Sequence, residues 1–134
     1  MRCADHFYAK FNMKNFLITC LLLLSSFCGA AELPSSAKQE VEHLFTHLEA
    51  SGCQFNRNGS WYSSREAVAH LRKKYDYLVG KNLLTTSESF IEKAATESST
   101  SGKAYQVKCE GQAVVLSSVW FSNELKIYRN KKSQ

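Results

Sequence analysis

His43 and His47 lie four residues apart, with Glu40 three before them. On a helix that spacing can bring two imidazoles to one metal ion. By the helical wheel, however, the pair lies opposite Val41, Leu44 and Leu48, and no further Cys or His follows nearby to complete three or four ligands. The expectation is a solvated helix face, with no metal and no cofactor. Glu66 and His70 are also four apart, which would suit acid–base work. They lack the two histidines around a glutamate that mark a zinc protease. His70 sits at the margin of an apolar stripe, where a partly buried imidazole bonded to backbone is expected and a catalytic base is the competing role. No nucleophile elbow or glycine-rich phosphate loop frames a serine.

Two stretches read as surfaces. Phe55-Asn56-Arg57-Asn58-Gly59-Ser60-Trp61-Tyr62 places Arg, Trp and Tyr together at a hairpin tip, and these three types dominate binding hot spots. The alternative is that Trp61 and Tyr62 fold back as a lid on a small core. Asn58-Gly59-Ser60 also matches a glycosylation sequon, which the turn itself explains better. The second stretch, Ser98-Ser99-Thr100-Ser101-Gly102-Lys103-Ala104-Tyr105, is rich in hydroxyls that cap helices and shape turns, with ligand contact as the other role. The candidate binding surface is therefore Arg57, Trp61 and Tyr62, joined by Ser101, Gly102 and Tyr105.

The elements that must position these residues are four helices and a few short strands. The first helix opens at Ser36, with Gln39 as its box partner. It buries Val41, Leu44, Phe45 and Leu48, and Gly52 ends it. The second begins at Ser63 with Glu66, buries Ala67, Val68, Leu71, Tyr75 and Leu78, and stops at Gly80. The third starts near Thr85 with Glu88 and buries Phe90, Ile91, Ala94 and Ala95. The fourth starts at Ser117 or Ser118 and carries Trp120, Phe121, Leu125 and Tyr128. Gln54–Arg57 and Trp61–Tyr62 flank Asn58-Gly59, a strong hairpin signal. Tyr105–Cys109 alternates and turns at Glu110-Gly111 into Ala113–Leu116. The fold class is α+β, mainly helical: about four helices packed on a small antiparallel sheet or hairpin.

Export is written at the N-terminus. Met13-Lys14-Asn15 precedes the apolar run Phe16–Leu24, and small residues Gly29-Ala30-Ala31 lead to Glu32. That order is signal-peptide grammar, and the run is shorter than the roughly 20 apolar residues a membrane span needs. Residues 1–31 are read as the signal peptide, with Met13 the true start and cleavage after Ala30 or Ala31. Acylation at Cys28 is the lesser alternative, because Phe27 fits poorly before it. Residues 32–134 form one mature domain with a short basic tail and no membrane span.

Cleavage removes Cys3, Cys20 and Cys28, leaving Cys53 and Cys109 as the simplest disulfide pair in an oxidising compartment. It also removes Arg2, Lys10, Lys14 and Asp5, taking the formal charge from +5 to +3. Much of what remains is the tail Arg129-Asn130-Lys131-Lys132, so the basic balance is a weak pointer to nucleic acid, and no nucleic-acid partner is expected.

The segments Ser51–Tyr62, Ala69-His70-Leu71-Arg72-Lys73-Lys74-Tyr75, Phe90-Ile91-Glu92 and Ser98–Tyr105 together resemble a family of small exported bacterial proteins catalogued as domain of unknown function 5329. The resemblance runs from about Val41 to Tyr128. It implies a Gram-negative, periplasmic setting and a single disulfide-bearing domain, and it implies no activity. A separate short likeness links Ser101-Gly102-Lys103-Ala104-Tyr105 to the Ser-Gly-x-x-Tyr loop with which periplasmic lysozyme inhibitors enter the enzyme's cleft. The functional expectation is a non-enzymatic periplasmic binding or accessory protein, with a periplasmic or envelope protein as partner. A small hydrolase using His70, or a lysozyme-inhibitor-like protein, are the alternatives.

Overall fold

A computed structural model describes residues 32–134. The expected signal segment, with Met13 and Cys28, lies outside the described residues. Among these residues the first helix, α1 (Ser35–Ser51), leads into the hairpin β1 (Gln54–Arg57) and β2 (Ser60–Tyr62). Next come α2 (Ser64–Gly80) and α3 (Ser87–Phe90), then β3 (Gln106–Lys108), β4 (Val115–Leu116) and α4 (Ser117–Lys132). The class is α+β, mainly helical, with one antiparallel sheet ordered β2-β1-β3-β4.

The long amphipathic stretches fold as their spacing requires. Val41, Leu44, Phe45 and Leu48 of α1 are fully buried, and Gly52 closes the helix at φ 65°. The helix starts earlier than Ser36, and the Ser36–Gln39 box does not form. Pro34 takes the cap position at φ −56° and its carbonyl accepts from the Lys38 N–H at 3.0 Å. The fixed φ of proline suits the extended backbone of a cap residue.

In α2 the expected box is present: Glu66 N–H donates to Ser63 Oγ at 3.3 Å, and Ser63 N–H donates to Glu66 Oε2 at 2.9 Å. The helix ends at Gly80 as expected, but its left-handed closure lies further on. The chain turns left-handed at Asn82, φ 54°, and Leu83 N–H reaches the Leu78 carbonyl while Asn82 N–H reaches that of Val79. That is a Schellman closure with asparagine in the role usually taken by glycine. The third helix is capped by Thr86 and Ser89, not by Thr85 and Glu88. It continues through one wide π-type turn, Ile91–Ala95. Leu116 precedes α4 without a side-chain cap, and Ser117 Oγ is buried with no partner among the described residues.

Asn58 and Gly59 both have positive φ, 55° and 88°, as a type I′ hairpin turn demands. Phe55 pairs with Tyr62 and with Val107, and Asn56 pairs with Trp61 and with Gln106. Side chains alternate between faces along a strand. Phe55, Arg57, Tyr62 and Val107 therefore face the helices, while Asn56, Trp61 and Gln106 face outward. Cys53 and Cys109 are joined, one step beyond the Gln54–Lys108 pair, so the disulfide continues the ladder. Under the inner face Phe45, Phe55, Phe90, Tyr105 and Phe121 form an aromatic core, with Phe45 and Phe90 edge to face at 5.3 Å.

Candidate functional site

The inner face of the hairpin and the flank of α2 enclose a cleft centred on His70. The β1 alternation aims Arg57 toward the helices, and the capped start of α2 puts His70 opposite it. Arg57 Nη1 lies 2.5 Å from His70 Nδ1, and His70 Nε2 lies 3.2 Å from the Tyr105 hydroxyl. A guanidinium only donates, so Nδ1 accepts and Nε2 carries the proton given to Tyr105. His70 is thus a neutral imidazole. Burial, then the charges of Arg57, Lys74 and Lys73, push its pKa down to about 4.

The Arg57 guanidinium also lies over the Tyr62 ring, 4.8 Å from its centroid. Lys74 donates to the Glu97 carbonyl at 3.1 Å and sits 5.1 Å from the centre of the Tyr105 ring. Burial holds its ammonium pKa below the ordinary lysine range. Three hollows meet at His70. One of about 260 Å³ runs along Tyr62, Glu66 and Lys73. Another of about 410 Å³ reaches Ser98, Ser99, Thr100 and Tyr105, and the third, about 360 Å³, is bounded by Lys73, Lys74, Tyr77 and Lys93.

Chemically, the cleft offers donors. An imidazole with a pKa near 4 is a feeble base at neutral pH. Glu66 is engaged by Ser63 through both the backbone N–H and the hydroxyl, and His70 is bonded to Arg57 and Tyr105. The pairing of Glu66 with His70 read from their spacing is not made, and the expected backbone bond of His70 is replaced by two side-chain bonds.

The histidine pair on α1 also differs from expectation. His43 and His47 do not line a solvent face; α4 packs over them. Glu124, 9 % exposed, lies between the two, its oxygens 2.6 Å from His43 Nε2 and 3.5 Å from His47 Nε2. The His43 ring stacks on Tyr128 at 4.0 Å and the His47 ring packs against Trp120 at 4.7 Å. Among the described residues no group of three or more His, Cys, Asp or Glu is arranged to hold a metal ion. The cluster joins two helices.

The sequence model of a group described as a family of unknown function, DUF5329, matches residues 35–129. The chain belongs to that family. An uncharacterized protein, YfeK, of Salmonella typhimurium strain LT2 is 31 % identical over 94 residues, covering 69 % of this chain and 77 % of that protein. No solved structure gives a significant match. The family span begins at the first residue of α1 and contains every residue of the cleft as well as both disulfide cysteines.

Within that span the expected surface residues separate. Arg57, Tyr62 and Tyr105 meet at the cleft. Trp61, 39 % exposed, stands on the opposite face of the sheet, so neither the shared Arg–Trp–Tyr patch nor the paired Trp61–Tyr62 lid is formed. Ser101 Oγ donates to Asn58 Oδ1 at 2.6 Å, tying the serine-rich loop to the hairpin tip, and Gly102 supplies a left-handed bend at φ 68°. Tyr105 is 2 % exposed, so its ring is not a loop tip able to enter an enzyme's cleft. Sequence reasoning missed Lys74 and the buried Ser98 as neighbours of His70. The one sign of Lys74 was its position four residues after His70 on the same helix. Among the described residues no helix is long and apolar enough to cross a membrane.

Proposed function

We propose that this is an exported, non-enzymatic binding protein of the Gram-negative periplasm, and that its contact site is the His70 cleft rather than the outer face bearing Trp61. The observation that carries the reading is the state of Arg57: half-buried, stacked on Tyr62 and donating to a neutral histidine. A guanidinium so placed keeps most of its five donors free for a guest. Tyr62 beside it supplies a rigid aromatic wall, and such Arg–aromatic pairs concentrate binding energy. The disulfide holds β1 and β3 together behind the cleft, and a bond of that kind suits an oxidising compartment. The apolar run behind Lys14 supports export.

The test is a thermal-shift screen of small molecules and envelope-derived fractions on the oxidised protein. Wild type is compared with Tyr62→Ala, Arg57→Gln and Trp61→Ala. Stabilisation that disappears in the first two variants and persists in Trp61→Ala supports the assignment. Binding that survives both cleft substitutions and is lost in Trp61→Ala overturns it.

A further inference from the structure

We infer that the cleft is built to hold an oxyanion, a phosphate or carboxylate group carried on a polar ligand, with Arg57 and Lys74 as its two principal anchors. The inference rests on the cleft-binding reading and names the ligand's chemistry. Its ground is a local excess of positive charge without ion-pair partners. Arg57, Lys73 and Lys74 all border hollows that meet at His70. Among the described residues, none of the three has a carboxylate within ion-pair distance.

The other arginines in contact with acids show what this fold does elsewhere: Arg72 grips Glu42 with both terminal nitrogens, and Arg129 grips Glu40 and Glu88. Arg57 and Lys74 are half-buried on the wall of one hollow, while Lys73 is exposed at the rim, and burying a charge without a partner is costly. The nearby acids offset these charges only in part: the Glu97 carboxylate favours the Lys74 ammonium through space, by less than burial opposes it. Glu66 at the rim is held by Ser63, and Glu97 offers Lys74 its backbone carbonyl.

The remaining wall suits the same guest. Arg57 presents a planar fork that matches two oxygens of a phosphate or carboxylate. The Ser98–Thr100 turn borders the 410 Å³ hollow, with the Ser98 and Thr100 hydroxyls bonded to each other and that of Ser99 beside them. His70, bonded through Nδ1 to Arg57, steadies that fork and contributes no charge of its own. An anion seated between Arg57 and Lys74 lessens the repulsion that opposes protonation of His70, so occupancy raises the imidazole pKa from about 4.

The experiment is an NMR titration of the purified, oxidised protein at constant ionic strength set by sodium chloride. Sodium phosphate, sodium acetate and glucose are added in separate arms, and the His70 ring signals are followed against pH. Saturable shifts with phosphate or acetate, and a rise in the His70 midpoint, are expected. The stronger of the two anions identifies the source. Arg57→Gln should weaken that binding by about tenfold or more, the scale of a lost charge-assisted contact. Lys74→Gln, whose ammonium bonds a surface carbonyl, gives a second reading should Arg57→Gln disturb the fold. Responses to both anions that stay linear and match those to chloride overturn the inference. So does saturable anion binding unchanged in both variants. Saturation by glucose alone also overturns it, while leaving the cleft itself as a binding site.

Discussion

Lowering the pH from 7 to 4 forces a proton onto His70 that the folded cleft resists. The ring accepts from Arg57 through Nδ1, so protonation sets two N–H groups and two positive charges against each other. A fall in pKa from 6.5 to about 4 corresponds to roughly 3 kcal/mol, at about 1.4 kcal/mol per tenfold change in proton affinity. Because the imidazole is partly open to water, screening brings the contribution down to about 1–2 kcal/mol. Above pH 6.5 both folded and unfolded chains carry the neutral ring. Between 6.5 and about 4 the unfolded chain takes up the proton and the folded one does not, so stability falls as the pH falls.

The variant His70→Gln lacks this group and isolates it. Glu40, Glu42 and Glu88, whose carboxyl pKa values are held down chiefly by hydrogen bonds from arginines, also lose their contribution on acidification. They do so equally in both proteins and cancel in the difference. Urea unfolding of wild type and His70→Gln at pH 7, 5.5 and 4 should show the variant gaining about 1–2 kcal/mol relative to wild type. A difference that stays constant within about 0.5 kcal/mol, or a His70 ring that titrates near 6.5, refutes the described Arg57–His70 contact.

Replacing both Cys53 and Cys109 with alanine should lower stability by about 4 kcal/mol, the loop-closure value for a bridge spanning 56 residues, read by urea unfolding. Phe121→Ala, which empties a fully buried ring site between α4 and the core, should cost about 3–5 kcal/mol in the same assay. Asn82→Val should destabilise by about 1–2 kcal/mol, since a β-branched residue is strained at φ 54°. Asn82→Gly, tested beside it by thermal unfolding, should be neutral or slightly stabilising.

The amphipathic helices were legible because their signal is local. The α1 stripe named from spacing is the stripe that is buried, and the α2 box formed as written. The same helix shows why His43 and His47 were misplaced. Its apolar residues meet α2 and the core, but α4 covers a second face through Glu124, Trp120 and Tyr128. Those partners lie some 70 to 90 positions away in sequence, and no wheel drawn on α1 alone contains them. The cleft was hidden for a like reason. Arg57, His70 and Tyr105 meet only when the hairpin, α2 and the approach to β3 are assembled. The separation of Trp61 from Tyr62, by contrast, was available all along. Adjacent residues on a strand point to opposite faces, so a hairpin reading of Ser60–Tyr62 already divided them.

The central strand pair of the sheet, β1 with β3, joins segments of chain about fifty residues apart. Pairings between such distant segments are slow to find, because the intervening chain must be closed before any contact rewards it. Cys53 and Cys109 occupy the ladder position next to Gln54 and Lys108. Once their sulfurs are joined, β1 and β3 start from one shared point, with the long intervening loop already closed. The bridge thus lowers the entropic cost of the most distant strand pairing as well as bracing it.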